Sequence, residues 1–190
     1  MEGVEPPDEV LVLAAILGDL DAFDELASRY RPAVIRLAQS FVGREAAEDV
    51  AQDALLLAFK ALPSIEEPKK FAAWLSAITR HRAMRVGKRE SAEQSRRVEF
   101  DELLIEKLES LARPLVEIRA NDELQLALKQ IPDEYALVLT LKFIDEMPLK
   151  RIAGFLGLPL STIKWRIHRG KELLRKQLEL QKVLEAQERD

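Results

Sequence analysis

The chain has 190 residues, 47% hydrophobic and 33% charged, with a formal net charge of -4, a globular composition with room for one domain or two small ones. It has no cysteine and only two histidines, His81 and His168, which excludes disulfides, thiolate zinc sites and a cysteine nucleophile and leaves little material for histidine-built metal or triad sites. No apolar run approaches the roughly 18 to 20 residues of a membrane span, and the acidic stretch Met1 to Glu9 lacks the basic n-region of a signal peptide, so a cytoplasmic protein without membrane insertion is expected.

Helical periodicity dominates from end to end, with no convincing run of alternating β-branched residues between hairpin turns, so the expected fold class is all-α. Residues 1 to 28 carry eight acids and no base. Within them a first apolar helix, Val10 to Leu17, stops at Gly18, and Asp19 is placed to cap a second helix carrying Leu20, Phe23, Leu26 and Ala27. Pro32 suits the first turn of a third helix whose Ile35, Leu37, Ala38 and Phe41 lead to a stop at Gly43. A fourth helix, about Glu45 to Ala61, is expected to bury Val50, Ala54, Leu57 and Phe59 or their neighbours. Its Glu45, Asp49 and Asp53 recur every four residues beside Glu48 and Gln52, giving it an acidic polar face. That face reads as a solvated surface or as a dock for a basic partner helix; a carboxylate metal site lacks histidine support.

The loop Leu62 to Pro68 is rich in breakers, and a fifth helix follows from Lys69 to about Lys88. Its Phe71, Trp74, Leu75 and Ile78 share one stripe, which favours a core role over a base-stacking platform. Residues 69 to 89 hold seven bases and no acid. Such a run is either a solvated face or a cationic track for nucleic acid. From Glu90 to Ala120 the composition turns polar and acidic, marking a linker between an N-terminal and a C-terminal unit. Phe100, Leu104, Leu108, Leu111 and Leu115 recur there at steps of four and three, the pattern of an amphipathic helix that docks on a domain or of a solvated tether with an apolar stripe.

The C-terminal unit opens with a helix around Asp122 to Lys129 and restarts after Pro132. A short helix then offers Leu149, Ile152, Ala153 and Leu156 to a core, Gly157-Leu158-Pro159 turns the chain, and a longer helix presents Leu160, Ile163, Ile167 and Leu174 on one seam. This is a helix-turn-helix pattern. On a wheel of about 100° per residue, the side opposite the seam carries Ser161, Trp165, His168 and Arg169, flanked by Thr162, Lys164 and Arg166. Residues 142 to 176 hold nine bases against three acids. Hydroxyls and cations at the start of a second helix suit a major-groove reader with phosphate contacts from the flanks; for Trp165 alone, DNA contact, partner contact and accidental exposure all stand. Both histidines sit among arginines, which disfavours an imidazolium, and no nucleophile, phosphate loop or acid/base pair stands out. The chain reads as a binder and not an enzyme, with no metal and no cofactor.

The segments Arg31-Pro32 to Ala38, Ala47 to Ala54 and Phe71 to Leu75 resemble region 2 of bacterial sigma factors of the sigma-70 family, extracytoplasmic-function group; Ile131-Pro132 through Gly157 and Ser161 to Gly170 resemble their region 4. The resemblance spans about residues 10 to 89 and 120 to 178 in the family's order. It implies two small helical domains, region 2 at 8–89 and region 4 at 121–180, joined by a partly helical linker at 90–120 and followed by a tail at 181–190. It implies a transcription initiation factor that joins core RNA polymerase and directs it to promoters. Glu48, Asp49, Gln52 and Asp53 would then meet the clamp coiled coil of the largest subunit, and the region 4 unit the flap of the second-largest. Melted -10 DNA would lie on Pro63, Ser64, Ile65, Lys69, Lys70, Arg80, His81, Arg82, Arg85 and Lys88, with a flipped base held in a pocket, at a cost of a few kcal/mol that shape and charge offset. The -35 duplex would be read by Ser161, Thr162, Lys164, Trp165, Arg166, His168, Arg169 and Lys171. An anti-sigma factor is a further partner known in the family.

The sequence departs from that pattern at His81, Arg85 and Trp165, where asparagine, aspartate and serine are frequent in the family. These departures bear on promoter choice and melting, not on the fold. Two promoter elements about two helical turns apart lie roughly 70 Å from each other. The linker from Glu90 to Ala120 could reach about 100 Å extended but about 45 Å as one helix, so it is expected to be at least partly extended in the polymerase complex. Two alternatives remain at this level: a helix-turn-helix regulator that binds duplex DNA without polymerase, and a sigma-like decoy or adaptor that binds a regulatory protein.

Overall fold

The computed structural model describes residues 5–87 and 120–187, and every described element is helical. The expected linker, its apolar stripe and Lys88 lie outside the described residues. Helix α1 spans Asp8–Ile16, with Asp8 and Glu9 in its first turn, where carboxylates oppose the positive helix end. Its Leu11 and Val12 are buried. The Asp19 side chain accepts a hydrogen bond from the Ala22 amide at 3.1 Å and so starts α2, Leu20–Ala61.

Pro32 does not begin a helix as expected. It lies inside α2, which runs without interruption from Leu20 to Gly43. An interior proline removes one backbone hydrogen bond and costs about 3 kcal/mol. The buried ridge of Leu26, Tyr30, Ala33, Val34 and Leu37 on either side of it outweighs that cost. The break falls at Gly43, whose φ of 73° and ψ of -175° lie in a region reserved for glycine, and the helix resumes beyond it at an angle set by that residue. In this second half the buried stripe is Ala47, Val50, Ala51, Ala54 and Ala58, while Leu57 and Phe59 are exposed, against expectation. Small residues let neighbouring backbones approach, and the larger pair is left on the outer side, where Phe59 meets Phe23 edge-on at 4.9 Å.

Two short 3-10 turns, Leu62–Ser64 and Pro68–Lys70, fold the breaker-rich loop onto α1. Helix α3 (71–87) follows, with Phe71, Leu75, Thr79 and Ala83 buried at steps of four. Trp74 and Ile78 are half-buried against the same core, so the stripe is core material. The C-terminal elements are α4 (Ala120–Lys129), α5 (Asp133–Phe143), α6 (Leu149–Leu156) and α7 (Leu160–Gln187). Gly157 caps α6 at φ 67°, a left-handed turn that glycine adopts without a Cβ penalty. Helix α7 continues to Gln187, through most of the stretch expected to be a tail.

The two halves of the chain share one core. Tyr30 of α2 packs edge-on to Phe71 at 5.7 Å and stacks on Phe155 of α6 at 5.9 Å; all three are buried. Val138, Leu141, Met147, Ile152, Phe155 and Ile163 join the cluster built by α1, α2 and α3. Arg36 of α2 grips Asp145 with two hydrogen bonds, Nε to Oδ2 at 3.1 Å and Nη2 to Oδ1 at 3.2 Å. The helix-turn-helix therefore docks on the N-terminal helices through aromatic packing and one forked ion pair.

Candidate nucleic-acid interface

Each expected contact residue other than Lys88 sits on an element whose buried side fixes where it points. Ile163 is fully buried at the start of α7 and Ile167 packs on the same core. Ser161, Lys164, Trp165, His168, Arg169 and Lys171 are therefore turned outward and exposed, while Thr162 and Arg166 are half-buried. Not all of this charge faces solvent alone. Arg166 pairs with Glu134 of α5 at 2.7 Å, and its Nε is buried without a hydrogen-bond partner among the described residues. Arg169 donates to Glu172 at 2.9 Å, and His168 Nε2 lies 3.5 Å from the same carboxylate. The Glu172 carboxyl is held below its usual range, first by the hydrogen bond from Arg169. Lys171 places its ammonium 4.5 Å above the Phe143 ring. Trp165 is 56% exposed, with its ring tilted against Tyr135 at 5.9 Å.

The second basic block occupies the loop and α3. Pro63 and Ser64 are exposed, and the Ser64 hydroxyl donates to the Ala61 carbonyl at 2.7 Å, which tightens the turn. Ile65 packs partly on the core. Lys69 and Lys70 are exposed, at 3.8 Å from Glu9 and 2.7 Å from Glu67. Arg80, His81 and Arg85 lie exposed along α3.

The acidic face of α2 presents Glu48, Asp49 and Gln52 to solvent. Glu48 is bridged by Arg31 at 2.8 Å across the angle made at Gly43. A groove of 530 Å³ opens between them, lined by Arg31, Arg36, Arg44, Glu48 and Asp145 among others. Asp53 is half-buried and takes a hydrogen bond from Arg82 Nε at 2.9 Å. The structure thus joins one residue of the acidic face to one of the basic track, and each neutralises the other.

Two acids escaped the sequence reading, Glu134 and Glu172, and each holds a cation of a basic block; Glu9, of the acidic N-terminal stretch, faces Lys69. Only the Arg169–Glu172 spacing of three on one helix was visible in advance. Arg151 on α6 was also missed; it is paired with Glu5 at 3.3 Å. Among the described residues no group of three or more histidine, cysteine or carboxylate side chains could hold a metal, and no helix is long and apolar enough to cross a membrane.

Both halves of the chain are similar to known proteins. Residues 26–92 match sigma-70 region 2 and residues 121–174 match sigma-70 region 4. The chain is 31% identical over 176 residues to the ECF RNA polymerase sigma factor SigW of Bacillus subtilis (strain 168), covering 85% of this chain and 91% of that protein. It is 29% identical over 180 residues to the ECF RNA polymerase sigma-E factor of Escherichia coli (strain K12), covering 88% and 92%. Among solved structures, CnrH in complex with the cytosolic domain of CnrY is similar in fold, with a TM-score of 0.56 and 24% identity over 91% of this chain and 97% of that one.

Proposed function

The chain belongs to the extracytoplasmic-function group of sigma-70-family sigma factors, and we propose that it brings core RNA polymerase to promoters by reading -35 duplex DNA with α7 and melted -10 DNA with the 62–70 loop and α3. One observation carries the proposal. A single chain combines an acidic helix face, exposed at Glu48, Asp49 and Gln52, with a helix-turn-helix whose outer face at Ser161, Trp165, His168 and Arg169 is open. A duplex-binding regulator has use for the second but not the first.

In this reading residues 8–89 form the unit that docks on the clamp coiled coil of the largest polymerase subunit. Residues 121–180 form the unit that meets the flap of the second-largest subunit and the -35 element. Asp49 and Gln52 supply the polymerase contact most directly, because the charge of Asp53 is already met by Arg82. Arg169, Lys164 and Lys171 supply phosphate contacts, and Ser161 and Trp165 reach base edges. The factor performs no bond chemistry of its own. Binding energy from these contacts offsets the cost of opening the duplex and holding a flipped base. A protein partner of the anti-sigma kind is part of the proposal, since CnrH, which shares this fold, has been solved with the cytosolic domain of CnrY.

The test is transcription by purified core polymerase on a library of promoter fragments, with and without the chain. Factor-dependent transcripts are expected. Duplex binding without polymerase dependence would replace the proposal with a conventional regulator, and absence of polymerase binding would refute it.

A further inference from the structure

The proposed function gives no role to the acidic stretch before and at the start of α1. Its geometry is specific. Asp8 is the anchor: Oδ1 accepts from Arg29 Nη1 at 3.0 Å, and Oδ2 accepts from the buried Tyr30 hydroxyl. The same Arg29 Nη1 donates to the Pro6 carbonyl at 2.7 Å and Nε donates to Glu25 at 2.8 Å, with the Arg29 side chain only 6% exposed. Burial pushes the Tyr30 hydroxyl far up, and Asp8 pushes it further, so it remains a donor. Backbone and side chain are thus tied to α2 at residues 6 and 8.

On either side of this anchor an exposed carboxylate reaches a cation of a different DNA-facing element. Glu5 Oε2 accepts from Arg151 Nη2 at 3.3 Å. Arg151 lies on α6, the first helix of the helix-turn-helix, and in this motif the first helix crosses the DNA backbone. Glu9 Oε1 sits 3.8 Å from Lys69 Nζ in the loop assigned to the -10 strand. Arg151 and Lys69 are where phosphates would go, and each is instead faced by a carboxylate of one short segment.

We propose that residues 5–9 are an internal latch that takes the place of DNA phosphates on Arg151 and Lys69 and holds α6 and the 62–70 loop against α2. The assignment of those two elements to DNA rests on the function proposed above. The latch is built to yield. Its outer pairs are exposed at the carboxylate, 68% for Glu5 and 42% for Glu9, so each is individually weak and screened by salt. A duplex presents many phosphates at once and displaces both. While the latch is shut, these cations are already neutralised and contribute little counterion release, so the salt dependence of DNA binding is shallower than the count of basic residues implies.

The experiment compares the full chain with Glu5→Gln/Glu9→Gln. The sequence has no cysteine, so K60C and K176C, at two exposed positions on α2 and α7, report the separation of the halves by single-molecule energy transfer. Mixed-sequence duplex DNA is the binding probe. The double variant should raise the open-to-closed ratio by about two- to tenfold. It should tighten duplex binding by a similar factor and steepen the log–log salt slope by up to about one unit for each released cation. In an Arg151→Gln background, Glu5→Gln should add nothing. Unchanged ratio and slope in the double variant, with an unchanged circular dichroism spectrum, would overturn the latch. A raised open population with no duplex binding by any variant would keep the latch and refute the DNA assignment.

Discussion

Replacing Phe155 by alanine tests whether the two halves of the chain are one cooperative structure. Phe155 is fully buried, and its ring stacks on Tyr30 of α2 at 5.9 Å, while Tyr30 in turn meets Phe71 of α3 at 5.7 Å. Truncation removes an aromatic side chain that buries at least ~150 Å², worth about 4 kcal/mol at ~25 cal/mol per Å². It also forfeits about 0.5–1.5 kcal/mol of ring contact. The remaining alanine methyl recovers a fraction, so the expected loss is about 3–5 kcal/mol. With a urea dependence of about 2 kcal/mol per molar, the midpoint should fall by about 2 M. The chain has two tryptophans, Trp74 on α3 and Trp165 on α7, so variants retaining one or the other report each half by fluorescence. Because Tyr30 and its neighbours lose the cover of α6, both transitions should move down. A drop at Trp165 with Trp74 unmoved would show that the halves unfold independently and that the shared core contributes nothing to the N-terminal helices.

Asp49→Arg should weaken core-polymerase binding by about tenfold or more while leaving duplex binding by the full chain unchanged; equal loss in both assays would indicate unfolding instead. Arg169→Ala should weaken duplex binding and reduce the salt slope by about one unit, and an unaltered slope would remove Arg169 from the DNA face. The same variant has a pH signature. Glu172 titrates below the ordinary carboxylate range, so its pairing stabilises the folded chain above that range and is lost as pH falls through the lowered value. Without Arg169 the Glu172 midpoint should move back up in a side-chain NMR titration. Gly157→Ala, at φ 67°, should cost about 1–2 kcal/mol in thermal or urea unfolding, and a neutral result would mean the α6–α7 turn relaxes.

What the sequence made visible was local. The Asp19 cap, the stop at Gly43, the left-handed Gly157 and the buried seam at Ile163 all follow from residue type and spacing within a few positions. Pro32 misled because its cost is local while the burial that outweighs it is not: Tyr30 and Val34 find their partners on other elements. Leu57 and Phe59 misled for a related reason. Alanines 47, 51, 54 and 58 make an apolar stripe as regular as the larger residues do, and periodicity alone does not say which stripe another helix covers. The candidate sites were legible as segments and not as individual charges. Arg82 and Arg166 belong to basic runs, yet Asp53 and Glu134, 29 and 32 positions earlier in the chain, hold them.

Net charge shows why such pairing matters. The chain is acidic as a whole, and its two basic blocks are separated by acidic stretches. In the folded protein Glu5, Glu9, Asp53 and Glu134 of those stretches, and Glu172 within the second block, sit on cations of the basic blocks. A factor in this state has little field with which to capture DNA at long range. The closed packing also places the two elements proposed to meet DNA on a single core, whereas promoter elements two helical turns apart require a separation of roughly 70 Å. Thirty-one residues from Glu90 to Ala120 reach about 100 Å when extended, so chain length permits the opening and the shared core opposes it. Apparent affinity for a spaced promoter is then the intrinsic affinity multiplied by the fraction of open molecules. Polymerase docking as proposed, on the acidic face of α2 and on the C-terminal unit at separate places, would raise that fraction. Under the proposed function, the packing of Phe155 on Tyr30 and the pairing of Asp145 with Arg36 hold the chain closed, and together with the carboxylates on the basic blocks they lower the DNA binding expected of the free chain.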